Sequence, residues 1–83
     1  MISKEQSLEL LKQIQQVQLF DMGKHKIDIT CFNDDDGFWF TFNARSGENF
    51  TFGSCYNFLT YEENKANLDD FVKRVSEFDK SAV

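Results

Sequence analysis

The residues in this chain with the most chemical potential are the run Asn33-Asp34-Asp35-Asp36-Gly37, the single histidine His25 and the thiols Cys31 and Cys55. A short carboxylate run closed by glycine invites comparison with a calcium loop, where several oxygens converge from one segment. With Gly37 as the sixth position of such a loop, Phe32 would be the first and Asn43 the twelfth, and neither is the carboxylate required. The run therefore reads as a solvated hairpin turn, in which Asp and Gly tolerate unusual dihedrals. His25 lies between Lys24 and Lys26 with no defined acid–base partner, so it reads as a solvent-facing loop residue. The two cysteines lack CxxC spacing and read as reduced thiols, with a disulfide between them as the alternative. Cys31 falls on an expected core face as a small hydrophobe, and Cys55 is expected to be the more exposed. Neither has a recognisable base beside it, as nucleophilic catalysis would need. The expectation is a chain that is no enzyme and carries no metal or cofactor.

Aromatic and acidic residues remain as candidates for binding. Phe32 and Trp39 are expected on the outer face of a sheet, where large aromatics anchor interfaces. Tyr56, Phe58 or Tyr61 could fold back over them. Otherwise Trp39 covers a glycine at the sheet edge. Asp34, Asp35, Asp36, Glu62, Glu63, Asp69 and Asp70 form one acidic field if the first turn lies near the start of the last helix. The net charge is −5, and the acids concentrate between Ile27 and Val72. Such a field repels nucleic acid and attracts basic surfaces, and no cluster of bases offers a phosphate contact.

Elements that position these residues can be read from periodicity. Ser3 and Gln6 fit a capping box that opens a helix over 4–20, with Leu10, Leu11, Ile14 and Val17 on one face and Gly23 as a stop. Period-two alternation marks strands over 26–33, 38–43 and 49–53. Asp34 to Gly37 makes the first turn, and Arg45-Ser46-Gly47 a three-residue second turn. This register opposes Phe32 to Trp39, Thr30 to Thr41 and Asp28 to Asn43. It also opposes Phe40 to Phe52, Thr41 to Thr51 and Trp39 to Gly53. Ile27, Ile29, Cys31, Phe38, Phe40, Phe42, Phe50 and Phe52 then share the inner face. Thr60 and Glu63 fit a second capping box that opens a short helical turn over 60–66. The last helix spans 68–79, capped by Asn67, with Leu68, Phe71, Val72, Val75 and Phe78 as its stripe, and Ser81-Ala82-Val83 fraying.

Eighty-three residues make one domain, 1–83. Its ten Phe, with Tyr and Trp, bring aromatics to 16%, enough large rings to build a core in so short a chain. The longest apolar run, Phe38-Trp39-Phe40, is far too short to span a bilayer. Met1 to Glu5 leads into a polar helix rather than a signal peptide, and a cytoplasmic location is expected. The fold class is α+β: a two-layer sandwich in the order α-β-β-β-α, with both helices on one face of a three-stranded antiparallel sheet. That order resembles the double-stranded-RNA-binding domain. The family binds phosphate through a lysine cluster at the start of its second helix, where this chain reads Glu62-Glu63-Asn64-Lys65-Ala66. The resemblance implies the layout and no RNA binding.

The expected function is that of a small acidic inhibitor or adaptor, docking on a protein partner with a basic surface such as a nuclease or DNA-binding protein, by nucleic-acid mimicry. Its partner-binding residues would be Phe32, Trp39, Asp34, Asp35, Asp36, Glu62, Glu63, Asp69 and Asp70. Size, acidity and the lack of a catalytic motif resemble phage and mobile-element products such as anti-CRISPR, anti-restriction and immunity proteins. The alternative is a homo-oligomeric structural or regulatory domain that uses its outer sheet face.

Overall fold

The computed structural model describes residues 1–21 and 25–81. Five elements follow in order: α1 (Lys4–Phe20), β1 (Lys26–Asp34), β2 (Gly37–Ser46), β3 (Asn49–Cys55) and α2 (Tyr61–Ser81). The strands form one antiparallel sheet in the order β1-β2-β3. The α+β class and the α-β-β-β-α order are as expected. Gly23 and the terminal Ala82-Val83 lie outside the described residues. Among the described residues, no helix is long and apolar enough to cross a membrane.

The capping box at Ser3 is complete: its hydroxyl accepts from the Gln6 N–H at 3.1 Å, and the Gln6 side chain accepts from the Ser3 N–H at 3.0 Å. Leu10 and Ile14 of α1 are fully buried against Phe40, Phe42, Ala44, Leu68, Phe71 and Val75. Each buried ring or branched chain contributes on the order of 1.5–3 kcal/mol relative to exposure. The last helix is longer than expected. Thr60 and Glu63 form a working capping box, with both bonds at 3.1 Å. No break follows at Asn67, which is exposed within the helix, so 60–66 is its first part rather than a separate turn.

The first hairpin has the expected register, including Phe32 opposite Trp39 and Thr30 opposite Thr41. The second is corrected. Phe40 pairs with Cys55, Thr41 with Ser54, Phe42 with Gly53 and Asn43 with Phe52. The cause is the turn. Ser46 pairs with Asn49, so Gly47 and Glu48 make a two-residue turn, with Gly47 at φ +62°. Gly-X is a favoured two-residue hairpin sequence. The resulting shift is an odd number of residues, which turns every β3 side chain to the other face. Thr51 and Cys55 enter the core, while Phe50 and Phe52 are 52% and 65% exposed. Gly53 now lies under Phe42, and a Cβ there would come within 2.6 Å of the ring's Cε2. The arrangement has a cost, because the buried Thr51 hydroxyl has no hydrogen-bond partner among the described residues.

Three further expectations change. Cys31 is exposed, because β1 is an outer strand and α1 and α2 cover the sheet mainly over β2 and β3. Cys55 is the buried thiol, and burial pushes its pKa up to about 12. Both cysteines are free. His25 is buried rather than solvent-facing: its N–H donates to Asp21 Oδ2 at 2.7 Å, its Nδ1 lies 2.8 Å from Asp21 Oδ1, and its ring meets Phe78 edge-on.

The cysteines yield a direct test. A thiol reagent applied to the native protein will label Cys31 and spare Cys55 until the chain unfolds. Alkali gives the companion result. The folded pKa of Cys55 lies above the ordinary thiol value of 9.0, so its contribution to stability is intact below pH 9. Between pH 9 and about 12 the unfolded chain releases this proton and the folded one keeps it, so stability falls as pH rises. Denaturant melts of wild type and Cys55→Ala across that range will show a steeper alkaline decline in the wild type.

Candidate protein-docking face

Both helices pack on the same face of the sheet, which leaves the other face uncovered. Its rows follow from the register. Lys26, Arg45 and Phe50 lie at one end. Asp28, Asn43 and Phe52 come next, then Thr30, Thr41 and Ser54, and finally Phe32 and Trp39. Tyr56, just past β3, extends the last row. Trp39 stacks on Phe32 with centroids 4.0 Å apart and planes 13° apart, and Tyr56 lies 5.7 Å from Trp39. Phe58 stacks on Tyr56 at 5.0 Å and 17°. The four rings form a strip across the sheet. The outermost, Phe58, is 67% exposed.

The strip is positioned from two sides. The first turn supplies Asp34, whose Oδ1 accepts from the Asp36 N–H at 2.9 Å. Gly37, at φ +106°, brings the chain into β2. Asn57 Nδ2 donates to the Asp36 carbonyl and occupies the space that a Cβ on Gly37 would need. From the other side, the fully buried Asn64 of α2 grips the Tyr56 backbone. Its Oδ1 accepts from the Tyr56 N–H at 2.9 Å, and its Nδ2 donates to the Tyr56 carbonyl at 2.8 Å. Between these supports lies an open groove of about 440 Å³, lined by Met1, Asp34, Asp36, Trp39, Tyr56, Asn57 and Phe58. Ring faces beside carboxylates suit a guanidinium or ammonium group, which both attract.

Not all the expected site residues come together. Phe32, Trp39 and Asp34 to Asp36 gather at this end, and Glu62 and Glu63 begin α2 at the same end of the sheet. Glu63 spends a carboxylate oxygen on the Thr60 N–H. Asp69 and Asp70 lie about 10 Å farther along the helix axis. They form ion pairs with Lys65 at 2.8 Å and with Arg74 at 3.1 Å, so they do not extend a bare acidic field. Among the described residues, no three His, Cys, Asp or Glu side chains converge as a metal would need.

Of the three aromatics that could fold back, Tyr56 reaches Trp39 and Phe58 follows on Tyr56, while the Tyr61 hydroxyl bonds Glu9 of α1 at 3.4 Å. Trp39 does not lie over Gly53, which sits opposite Phe42. Phe50 and Phe52, assigned to the core by the other register, form a second aromatic pair on the open face, with Arg45 over Phe50. The Gly47-Glu48 turn was the signal that could have placed them. No family model, curated protein or solved structure matches this chain.

Proposed function

We propose that this chain is a protein-binding module, an inhibitor or adaptor, that docks on a basic partner surface through the Phe32–Trp39–Tyr56–Phe58 strip. The observation that carries this reading is the aromatic strip on the uncovered face, with Asp34 and Asp36 lining the same groove. Large rings with a polar rim are the usual anchors of an interface. A partner Arg or Lys would sit against a ring face while the carboxylates take its charge. Nucleic-acid mimicry enters this reading through Asp34, Asp35, Asp36 and Glu62 alone, since Asp69 and Asp70 are already paired.

The test is capture from a nuclease-treated bacterial lysate at low and high salt, followed by titration of the purified captured protein. Trp39→Ala is expected to weaken binding by about 2 kcal/mol, near thirtyfold. Asp34→Asn with Asp36→Asn should lower affinity less and flatten its salt dependence. Binding unchanged by Trp39→Ala would place the interface elsewhere on the molecule.

A further inference from the structure

Residues 30–34 of β1 are all exposed, although this stretch includes Cys31 and Phe32. The strand is an outer one, and its free edge can be oriented. The Ile27 carbonyl accepts from the Gln18 side chain at 2.7 Å, so it points away from β2. Strand periodicity then turns the N–H and C=O groups of Ile29, Cys31 and Asn33 outward as well. Gln18 covers the Ile27 end, and no described side chain covers the rest in that way. The opposite edge is guarded: α2 packs on β3, and Arg74 Nη2 donates to the Phe52 carbonyl at 3.2 Å.

We propose that β1 pairs antiparallel with β1 of a second copy of this chain about a two-fold axis at Thr30, joining two three-stranded sheets into one of six strands. The argument for a second copy is the strand's own charge pattern. Lys26 and Asp34 stand four residues to either side of Thr30. A Thr30-centred pairing therefore sets Lys26 opposite Asp34 at both ends, and opposite charges directly across strands are favourable. Centring on Cys31 would instead set Asp28 opposite Asp34 twice, a like-charge contact. Centring on Ile29 would set Lys26 opposite Phe32 and make no charged pair. In the Thr30 register, Ile29 and Cys31 exchange backbone hydrogen bonds across the axis. Gln18 swings aside where Asn33 meets Ile27. This pairing lies at the edge rather than on the open face, so it leaves the aromatic strip of each copy free and sets two strips on one continuous sheet.

Sedimentation equilibrium combined with disulfide trapping tests it. Thr30 meets its own copy in a non-hydrogen-bonded pair, where Cα atoms approach to about 4.5 Å, within disulfide range. Thr30→Cys in a Cys31→Ser background is therefore expected to cross-link as a dimer under mild copper-phenanthroline oxidation. Native Cys31 should cross-link far more slowly, being diagonal to its copy at roughly 7–8 Å. Lys26→Glu and Asp34→Lys should each weaken the dimer about tenfold, and the two together should restore it. The rescue separates charge pairing from any damage to the turn. A monomer at millimolar concentration would overturn the proposal. So would Cys31 cross-linking as fast as the engineered cysteine, or failure of the double variant to recover. A dimer dissolved by Trp39→Ala but indifferent to the charge swaps would assign self-association to the open face instead, and would overturn the edge pairing.

Discussion

Replacing Phe71 with alanine will lower the unfolding free energy by about 3–5 kcal/mol. The ring is fully buried and meets Phe42 edge-on, with centroids 4.7 Å apart and planes at 72°. It lies in the stripe Leu68, Phe71, Val75 that fixes α2 against the sheet. Edge-to-face geometry adds about 0.5–1.5 kcal/mol to the area the ring removes from water. The cavity cannot close easily, because Gly53 leaves no side chain on β3 to fill it and Phe42 is already packed against that backbone. A domain of this length has roughly 4–12 kcal/mol in all, so this one change removes a large share. Urea melts followed by Trp39 fluorescence should show a much lower midpoint with an unchanged slope. Phe71→Leu should lose less than half as much. A loss under about 1 kcal/mol for alanine would contradict the packing described.

The second large effect is polar. Asn64→Ala is expected to cost about 2–4 kcal/mol, because it strands the Tyr56 N–H and leaves the Tyr56 carbonyl only the longer bond from the Leu59 N–H at 3.3 Å. Truncation at the exposed positions of this helix, such as Glu62 or Asn67, would cost far less. The readout has a local component too: Tyr56 will lose amide-exchange protection, and Trp39 fluorescence will change as its neighbouring ring is released. Asn64→Asp separates the two bonds. A carboxylate can still accept from the Tyr56 N–H but faces the Tyr56 carbonyl without a proton to donate. Its stability should therefore recover as acid protonates it. Equal stability of wild type and Asn64→Ala would mean that the Tyr56 backbone is held by something else.

The first helix, the strand order and the first hairpin were legible in the sequence because several signals agreed at each. Ser3 with Gln6, the spacing of Leu10 and Ile14, and the alternation from Phe38 to Phe42 all point the same way. The second hairpin was not legible, because two turns fit the same letters. Arg45-Ser46-Gly47 and Gly47-Glu48 both use the glycine, and hydrophobic burial favours the one that hides Phe50 and Phe52. The Gly47-Glu48 turn sets the register, and the volume of the core agrees with it. Phe40, Phe42 and Phe71 already fill the space beneath the helices, so β3 presents the small residues Thr51, Gly53 and Cys55 inward. Period-two patterning does not record that choice. His25 was hidden for a similar reason: its partner Asp21 is four residues away, past the last residue of α1, where helical periodicity gives no signal. For the site, the sequence indicated Phe32 and Trp39, but the continuation through Tyr56 and Phe58 depends on Asn64, whose spacing from Tyr56 matches no short motif.

The bond from Asn57 to the Asp36 carbonyl ties together two segments 21 residues apart, and Asn64 holds the stretch between them and α2. Side chains and loops that are already immobile surrender little conformational entropy on contact. The aromatic strip is therefore stiff before anything touches it. For a ligand that meets it, the rings act after contact, on how slowly the complex falls apart, while the carboxylates act before contact, on how often the two molecules find each other.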